Sequence, residues 1–180
     1  DIQVQTKRLT GLTNDLIYLS RMEEGQTKIS MIEFPFSEVT AEAAQSFQNL
    51  AKVKGKDFKV DIEPMITLKG NEKAIRQLLS ILLDNAVKYC TEQGQIRLNV
   101  SHKGKNIILS VCNTAQELTK ENIDHLFDRF YRTDESRNSQ TGGYGIGLSV
   151  AKAVVETHHG KITASSEDGR SLLITVILKM

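Results

Sequence analysis

The chain of 180 residues contains no tryptophan, only two prolines and only two cysteines. Because proline occurs only at positions 35 and 64, most of the chain is able to form regular secondary structure. Cys90 and Cys112 are far apart and lack the spacing of metal ligands. This sparse use of cysteine favours a reducing compartment and excludes a disulfide-rich scaffold.

Long apolar runs and an excess of charge of one sign are missing as well. No apolar run in the sequence approaches the roughly 20 residues that span a bilayer, and we expect no signal peptide. The formal net charge of +1 gives no argument for nucleic acid or an acidic membrane surface as a partner. With 39% hydrophobic and 25% charged residues, the composition is typical of a globular domain with a small appendage.

Residues 1–24 are predicted to form a helix of a bundle or coiled coil. Its apolar residues recur at steps of seven, three and four, which is the spacing of a buried seam between helices: Ile2, Leu9, Leu12, Leu16, Leu19 and Met22. Such a helix needs a partner helix, and we therefore expect the chain to be cut from a longer protein. Docking on its own domain is the weaker alternative, because Gly25 and polar residues separate this helix from the rest of the chain.

The rest of the chain is predicted to be an α/β (α+β) fold. Alternation of apolar and polar residues predicts strands at 29–34, 58–62, 65–68, 95–101, 106–112, 161–165 and 172–178. Helical spacing predicts helices after Pro35, after the N-cap Asn71, at residues 120–127 and in the segment that Gly160 would cap. The expected architecture is a two-layer α/β sandwich, with a mixed, mostly antiparallel sheet and helices on one face.

A glycine-rich segment, residues 140–159 (QTGGYGIGLSVAKAVVETHH), leads into the last predicted helix. Glycines at a helix start let backbone N–H groups approach an anion, and the helix dipole adds positive potential there. The segment therefore predicts a ligand that bears phosphate. A flexible loop before an ordinary amphipathic helix is the alternative that this motif alone leaves open.

The segment LLDNAVKY, residues 82–89, places polar side chains on one flank of an apolar helix. Asn85, Lys88 and Tyr89 are separated by three and four residues and therefore face the same way. An Asn can ligate Mg²⁺, a Lys can neutralise phosphate, and a Tyr can pack on a base or ribose. Simple exposure at the end of a core helix is an equally good interpretation of this segment alone.

Two further segments carry side chains suited to a ligand. VCNTA, residues 111–115, ends a strand, where a polar residue commonly faces a ligand. LFDRFYR, residues 126–132, alternates aromatic and basic residues, and Arg129 or Arg132 could reach a phosphate. The alternative is that Phe127 and Phe130 are core residues and both arginines are solvated. The polar segment after residue 132 is predicted to be a mobile lid over a nucleotide.

Taken in order, these four segments resemble the N box, first glycine box, F box and second glycine box of bacterial sensor histidine kinases. The boxes belong to the catalytic ATP-binding domain, a Bergerat-type fold shared with gyrase, the heat-shock 90 chaperones and the MutL mismatch-repair proteins. LLDNAVKY, FDRFYR and GGYGIGL carry the resemblance, which covers residues 29–180. Residues 1–25 resemble the end of the second helix of the family's dimerisation and histidine-phosphotransfer domain.

The resemblance implies ATP and Mg²⁺ as cofactors and a role for each matching residue. Asn85 would hold Mg²⁺, Lys88 would contact phosphate, and Tyr89 would lie near the sugar and base. Arg129 and Arg132 are candidates for stabilising the γ-phosphoryl group during transfer to a histidine, where catalysis is mostly positioning and charge neutralisation. The other implied nucleotide-binding residues are Asn113, Leu118, Gly143, Tyr144, Gly145, Ile146, Gly147, Leu148 and Ser171.

The first glycine box departs from the common pattern. Most relatives have D-x-G-x-G, whereas Asn113 stands here at the Asp position, and Ala115 and Glu117 replace the glycines. The Asn carbonyl can still accept a hydrogen bond from the adenine amine, and its NH₂ could donate to a ring nitrogen. It lacks the charge-assisted strength of a carboxylate. We expect ATP binding to be retained.

The histidines do not match the phosphoacceptor motif of the family, an H-E-x-x-x-P-like run: His102, His125, His158 and His159. A structural role is expected for His159, next to the predicted helix cap. The acceptor is therefore expected on the upstream dimerisation domain, so that this chain alone should not autophosphorylate. The resemblance further implies a homodimeric parent, a response regulator as partner, no nucleic acid, and a place in the cytoplasmic part of a membrane-anchored sensor.

Two other functions compete with phosphotransfer. ATPases of the gyrase and chaperone type have a general-base Glu four residues before the N-box Asn, to activate water. Here that position is Ile81, which cannot accept a proton, so hydrolysis is not expected as the main activity. A degenerate module that signals by protein contact is supported only by Asn113 and Ala115.

Overall fold

The computed structural model describes residues 30–131 and 145–180, together with Thr13, Ile17 and Ser20. Its strands are β1 (Ile32–Pro35), β2 (Asp57–Ile62), β3 (Thr67–Gly70), β4 (Gln95–Lys103), β5 (Asn106–Thr114), β6 (Lys161–Ser165) and β7 (Ser171–Lys179). Its helices are α1 (Phe36–Val53), α2 (Glu72–Tyr89), α3 (Lys120–Asp124) and α4 (Gly147–Thr157). Thr13, Ile17 and Ser20 are helical, but the apolar seam expected in residues 1–24 lies outside the described residues.

The main sheet of the described region has five strands in the order β2-β4-β5-β7-β6. Neighbouring strands are antiparallel except for β2 and β4, which are parallel and are connected through β3 and α2. Strands β1 and β3 form a separate antiparallel pair. The predicted mixed, mostly antiparallel sheet is confirmed.

Helices α1, α2 and α4 pack in one layer, and one face of the main sheet supplies the other side of the core. Alternate residues of the central strands β4, β5 and β7 are buried against these helices, as expected for a sheet that is covered on one face. The predicted two-layer sandwich is therefore confirmed. In β5 the buried positions are Ile107, Leu109, Val111 and, at the end of the row, the polar Asn113.

The start of α2 follows its sequence signal, whereas the end of α4 is shifted by one residue. Asn71 caps α2 as predicted, because its Oδ1 accepts a hydrogen bond from the backbone N–H of Ala74 at 2.9 Å. At the end of α4, His159 and not Gly160 adopts the left-handed conformation, with φ 54°. The backbone N–H of Gly160 then donates to the carbonyl of Val155 at 2.9 Å, closing the helix. The predicted cap was wrong by one residue.

Several other predicted boundaries differ from the structure, and the ends of β4 and β5 each lie two residues beyond the prediction. Strand β3 starts at Thr67 because Met65 is 87% exposed and has φ 64°, which places it in a turn. The helix predicted for residues 120–127 ends at Asp124, since the backbone N–H of Asp128 donates to the carbonyl of His125 in a separate turn. Strand β1 begins at residue 32, three residues later than predicted.

Candidate functional site

The last two turns of α2 carry the polar flank predicted from LLDNAVKY. Asn85 is half-buried, and its side chain makes no hydrogen bond within the described part of the chain. The Nζ of Lys88 lies 2.6 Å from Oδ2 of Asp84, and Tyr89 is 37% exposed. The three predicted residues therefore lie on one accessible flank, with the lysine already paired to a carboxylate.

The start of α4 lies beside this flank. A Cβ added to Gly147 would be 3.5 Å from Cγ2 of Ile81, one helical turn before Asn85. Ile146 is the N-cap residue and offers no side-chain cap, and the first turn of α4 carries no acidic residue. Within the described residues, the first backbone N–H groups of the helix therefore receive no side-chain cap from Ile146, and such free N–H groups can bind an anion.

Asn113 is a buried polar residue at the end of β5. It is 3% exposed and lies opposite Ile96 and Leu172 in the neighbouring strands. Its Nδ2 donates to the carbonyl of Thr114 at 2.9 Å. Because a carbonyl can only accept, the NH₂ of the amide must face Thr114. The Oδ1 atom makes no hydrogen bond to any described residue and is therefore available as an acceptor.

Thr114 joins the end of β5 to the end of α2. Its hydroxyl lies 2.9 Å from Oγ1 of Thr91 and 3.3 Å from Sγ of Cys90, and it accepts from the backbone N–H of Gln95 at 3.1 Å. The backbone N–H of Thr91 donates to its carbonyl at 3.2 Å. A Cβ on Gly94 would collide with the Thr114 hydroxyl, so only glycine permits this approach.

The loop after β5 is held by the turn between β6 and β7. The backbone N–H groups of Ala115 and Leu118 donate to the carbonyls of Arg170 and Gly169, each at 2.8 Å. An open cavity of about 480 Å³ lies between the loop and the turn, two residues beyond Asn113, and is lined by Ala115, Gln116, Glu117 and Arg170. The positions that hold glycine in the common pattern thus border a cavity in this chain.

Ser171 is the first residue of β7, directly after that turn, and lies opposite Thr114 in the β5–β7 register. Its hydroxyl donates to Oδ1 of Asp168 at 2.8 Å, and the backbone N–H of Arg170 donates to the same oxygen at 2.8 Å. The bond from Arg170, followed by that from Ser171, lowers the pKa of Asp168. The hydroxyl predicted to help hold adenine is thus engaged in the turn, close to the site.

The two ends of the predicted lid meet at one backbone hydrogen bond. The N–H of Phe130 donates to the carbonyl of Gly145 at 2.8 Å. Gly145 has φ 72°, and a Cβ there would lie 2.8 Å from the carbonyl oxygen of Tyr131, so this approach requires glycine. Phe127 packs on the core as the alternative interpretation expected, whereas Phe130 is 64% exposed and that expectation was wrong for it.

The segment before the lid is tied to α3. Nδ1 of His125 lies 2.7 Å from Oδ2 of Asp128, and this hydrogen bond raises the pKa of His125. Nδ2 of Asn122 donates to the hydroxyl of Tyr131 at 3.1 Å, and the rings of His125 and Tyr131 are 5.5 Å apart. Arg129 lies on the exposed side of this segment.

The remaining predicted residues fall into two groups. Ile146 and Leu148 are buried, and Leu118 packs on the edge of the core. The others lie outside the described residues, and their roles stay predictions: Arg132, Gly143 and Tyr144. Among the described residues, no cluster of His, Cys, Asp and Glu could hold a metal ion, and no helix is long and apolar enough to cross a membrane.

Comparison with known families identifies this arrangement. Residues 70–180 match the family described as "Histidine kinase-, DNA gyrase B-, and HSP90-like ATPase". The chain belongs to this family. The resemblance inferred from the boxes is confirmed, and the family match assigns the domain an ATP-binding ATPase fold.

Individual relatives agree with the family match. The chain is 34% identical to the sensor protein DltS of Streptococcus agalactiae serotype III (strain NEM316) over 163 residues, 91% of this chain and 41% of the relative. It therefore spans about two fifths of that protein's length. The Acinetobacter baumannii histidine kinase AdeS has the same fold, with a TM-score of 0.80 at 23% identity over 99% of this chain and 81% of that chain. Full-length ShkA in complex with AMPPNP gives 0.79 at 22% identity, over 94% of this chain and 35% of that chain.

Sequence reasoning did not single out the junction around Thr114. Strands β4 and β5 are adjacent in the sheet, so the residues between α2 and β4 lie against the end of β5. Only this pairing brings the hydroxyl of Thr114 close to Gly94, which has no side chain to block it. The available signal was a glycine placed directly before a strand, a position where backbone segments often approach closely.

Proposed function

We propose that the chain contains the ATP-binding catalytic domain of a sensor histidine kinase, which donates the γ-phosphoryl group of ATP to a histidine of the protein's dimerisation domain. The family match supports ATP as the ligand, and the relatives named sensor proteins and histidine kinases support the acceptor class. The observation that carries the proposal is the buried Asn113, whose Oδ1 presents a single fixed acceptor.

The orientation of Asn113 favours adenine over bases that carry a carbonyl at the same position. Because one N–H of its NH₂ is committed to the carbonyl of Thr114, the amide is held in one orientation, in which Oδ1 is the acceptor proposed to face the ligand. An acceptor matches the exocyclic amine of adenine and would face the carbonyl of hypoxanthine or guanine, which cannot donate. A buried polar group that is left unpaired costs about 1–3 kcal/mol, so the wrong base should bind about 5- to 150-fold more weakly.

The phosphates are proposed to lie between α2 and the start of α4. Asn85 would hold Mg²⁺, and Lys88 and the backbone N–H groups of Gly147 and Leu148 would contact phosphate oxygens. Bound Mg²⁺ would supply neutralisation of the phosphate charge. Tyr89 and Ser171 would lie on the nucleoside side. The lid and the residues that flank it would supply Arg129, Arg132, Gly143 and Tyr144.

Transfer is favoured over hydrolysis by the surroundings of Ile81. It occupies the position of a general base in the gyrase type, and its Cγ2 lies at the close approach of α2 to Gly147. An apolar side chain there cannot remove a proton from water. The phosphoryl group then needs an external acceptor, and histidine of the dimerisation domain is the acceptor that we propose.

The parent protein is proposed to be a homodimeric, membrane-anchored sensor that passes the phosphoryl group to a response regulator. Residues 1–25 would be the end of its dimerisation helix, and residues 29–180 would be the catalytic domain on the cytoplasmic side. The a/d spacing of the first segment and the length of the matched relatives support this arrangement.

Calorimetric titration with Mg²⁺ and AMPPNP tests the nucleotide proposal. The wild-type chain should bind, Asn85→Ala should weaken binding, and Asn113→Leu should weaken it by about tenfold through loss of one buried hydrogen bond. Asn99→Ala is the matched control, since Asn99 is an exposed residue on the opposite face of the sheet. Inosine triphosphate should bind more weakly than ATP to the wild type, and Asn113→Leu should remove that preference.

The acceptor is tested by mixing the chain and ATP with a separate fragment that carries the phosphoacceptor histidine of the parent. Phosphohistidine should form on that fragment, and release of inorganic phosphate without it should be slow. No nucleotide binding by the wild type would overturn the proposal in favour of a degenerate signalling module. Rapid release of phosphate without the fragment would point to an ATPase.

A further inference from the structure

Lys56 is a half-buried lysine between α1 and β2 that has no part in the nucleotide site as proposed. Its Nζ donates hydrogen bonds to the backbone carbonyls of Val87 at 2.6 Å and Cys90 at 2.7 Å. Both carbonyls belong to the C-terminal end of α2, where the last acceptors of a helix have no partner within the helix. A cation is also favourable at this end of the helix dipole.

The two carbonyls held by Lys56 bracket the residues that are proposed to touch the nucleotide. Lys88 and Tyr89 are the residues between Val87 and Cys90 in the chain. The ammonium group therefore spans the backbone turn that carries both side chains. Burial lowers the pKa of Lys56, in keeping with its half-buried position.

The hydrogen bond between Lys56 and Cys90 is connected through Thr114 to Asn113, the residue that is proposed to select the base. Cys90, whose carbonyl accepts from Lys56, packs its Sγ 3.3 Å from Oγ1 of Thr114. The carbonyl of Thr114 in turn accepts from Nδ2 of Asn113 and fixes its amide. A shift of the residues after α2 would thus move Thr114 and turn Oδ1 of Asn113 away from its present direction.

Lys56 is itself held firmly enough to act as an anchor. Its backbone N–H donates to the carbonyl of Ala51 at the end of α1 at 2.9 Å. The N–H of the next residue, Asp57, donates to the carbonyl of Gly94 at 3.0 Å, close to the Thr114 junction. The lysine is therefore fixed on both sides, by α1 and by the start of β4.

We propose that Lys56 is a positioning residue of the nucleotide site, acting through the carbonyls of Val87 and Cys90 to hold Lys88, Tyr89 and the Thr114 junction in register. It does not touch the nucleotide. The inference rests on the proposed ATP-binding function. Any other residue at position 56 without a long cationic side chain would leave two carbonyls at the end of α2 without this donor.

The test compares Lys56→Met, Lys56→Arg and the control Lys54→Met, which removes an exposed lysine two residues away. Affinity for Mg²⁺–AMPPNP is measured by calorimetry at a temperature where circular dichroism shows every variant to be folded. Lys56→Met should bind at least about fivefold more weakly. Lys56→Arg should restore most of the affinity because the guanidinium can donate to both carbonyls, and Lys54→Met should match the wild type.

A second readout needs no nucleotide. In amide NMR spectra, Lys56→Met should shift the backbone signals of Lys88 and Tyr89 and the side-chain NH₂ signals of Asn113, whereas Lys54→Met should leave them in place. If Lys56→Met does not fold, Lys56→Gln replaces it, because a shorter neutral donor should give an intermediate loss of affinity and the same pattern of shifts.

The outcomes separate this inference from the proposed function. A wild-type chain without affinity for the nucleotide would overturn both. A wild type that binds, together with a folded Lys56→Met of equal affinity, would overturn the positioning role alone. If Lys56→Arg binds as weakly as Lys56→Met, the positioning role is also contradicted, because the loss of affinity would then not depend on the positive charge at position 56.

Discussion

At the scale of single residues, the site depends on which polar atoms are already engaged. The NH₂ of Asn113 is bound to Thr114, whereas its Oδ1 has no partner among the described residues. Nζ of Lys88 lies 2.6 Å from Oδ2 of Asp84. The lysine that is proposed to contact phosphate therefore already forms an ion pair in the absence of nucleotide. For the nucleotide that we propose, the first arrangement favours binding and the second opposes it.

Replacing Asp84 by Asn should therefore strengthen nucleotide binding. The Asp84–Lys88 pair is partly exposed and worth at most about 1 kcal/mol, so its removal should lower the dissociation constant of Mg²⁺–AMPPNP by about two- to fivefold. The gain should shrink at high salt, which screens such pairs. Calorimetry of Asp84→Asn and of the control Asp61→Asn, an exposed acid of β2, measures it. Equal or weaker binding by Asp84→Asn would show that Asp84 does not compete for Lys88.

At the scale of elements, the site is formed where three ends meet. The end of α2 and the end of β5 are joined through Thr114, and the start of α4 lies against α2 at Ile81. The segment before the lid is attached to α3 and to Gly145. Each connection uses a backbone group or a short side chain, so small changes of the backbone are expected to matter more than changes of exposed side chains.

Gly145→Ala tests the connection between the two ends of the lid. Alanine at this position would have to keep φ near 72°, which is strained for a residue with a Cβ. The Cβ would also collide with the carbonyl oxygen of Tyr131. The Phe130–Gly145 hydrogen bond should therefore be lost. We expect affinity for Mg²⁺–AMPPNP to fall by about tenfold, the equivalent of roughly 1.4 kcal/mol.

Gly104→Ala is the matched control for this change. Gly104 has φ 61°, but nothing lies within 4 Å of an added Cβ, and the residue is in the turn between β4 and β5. Its substitution carries similar backbone strain without the collision. Loss of affinity in Gly104→Ala as large as in Gly145→Ala would attribute the effect to general destabilisation.

At the scale of the whole molecule, His158 connects the two helices that flank the site. Its Nε2 accepts from the backbone N–H of Asn71, before α2, at 3.0 Å, and its Nδ1 lies 2.7 Å from the carbonyl of Val154 in α4. Both bonds are satisfied by the neutral ring protonated on Nδ1. Burial lowers the pKa of His158 in the folded state.

The folded chain should therefore lose stability in acid. The pKa of His158 in the folded state lies below the unfolded value of about 6.5. The contribution of His158 to stability is therefore complete above about pH 6.5 and is lost as the pH falls from there towards the folded pKa. Urea unfolding at about pH 8 and pH 5.5 measures this loss. The free energy of unfolding should fall less between the two pH values in His158→Leu than in the wild type. At the higher pH, the substitution should itself lower the free energy of unfolding by about 1–3 kcal/mol.

His159→Asn is the control for that measurement, because His159 is the exposed neighbour and Asn tolerates its left-handed backbone. It should keep most of the pH dependence of the wild type, because burial is the main cause of the lowered pKa of His158 and the charge of His159 is a smaller one. The assignment to His158 would be wrong if His158→Leu and the wild type lost the same stability between the two pH values.

Local patterns predicted most of the fold, because each helix and strand shows its period and cap in neighbouring residues. Asn71 is an example, since its capping role depends only on the next few residues of the chain. The boundary errors arose where the backbone turns, as at Met65 and His159, which adopt positive φ values that are uncommon for residues other than glycine.

The candidate site was predictable in its residues but not in their connections. The spacing of Asn85, Lys88 and Tyr89 within one helix placed them together. The contact of Lys56 with Val87 and Cys90 joins residues 31 and 34 positions apart, and nothing in the local sequence indicates it. The bond between Asn71 and His158 spans 87 positions and follows only from the packing of α2 against α4.

The hydrogen bond between Phe130 and Gly145 has a consequence for how members of this fold can vary. The chain leaves the described framework beside Phe130 and returns at Gly145, at a single fixed point. A segment whose ends coincide can change length without moving the strands and helices that carry it. Closing a loop of twice the length costs only about 0.6 kcal/mol in entropy. This point of attachment is thus suited to inserted or exchanged sequence, because the strands and helices that carry it need not move.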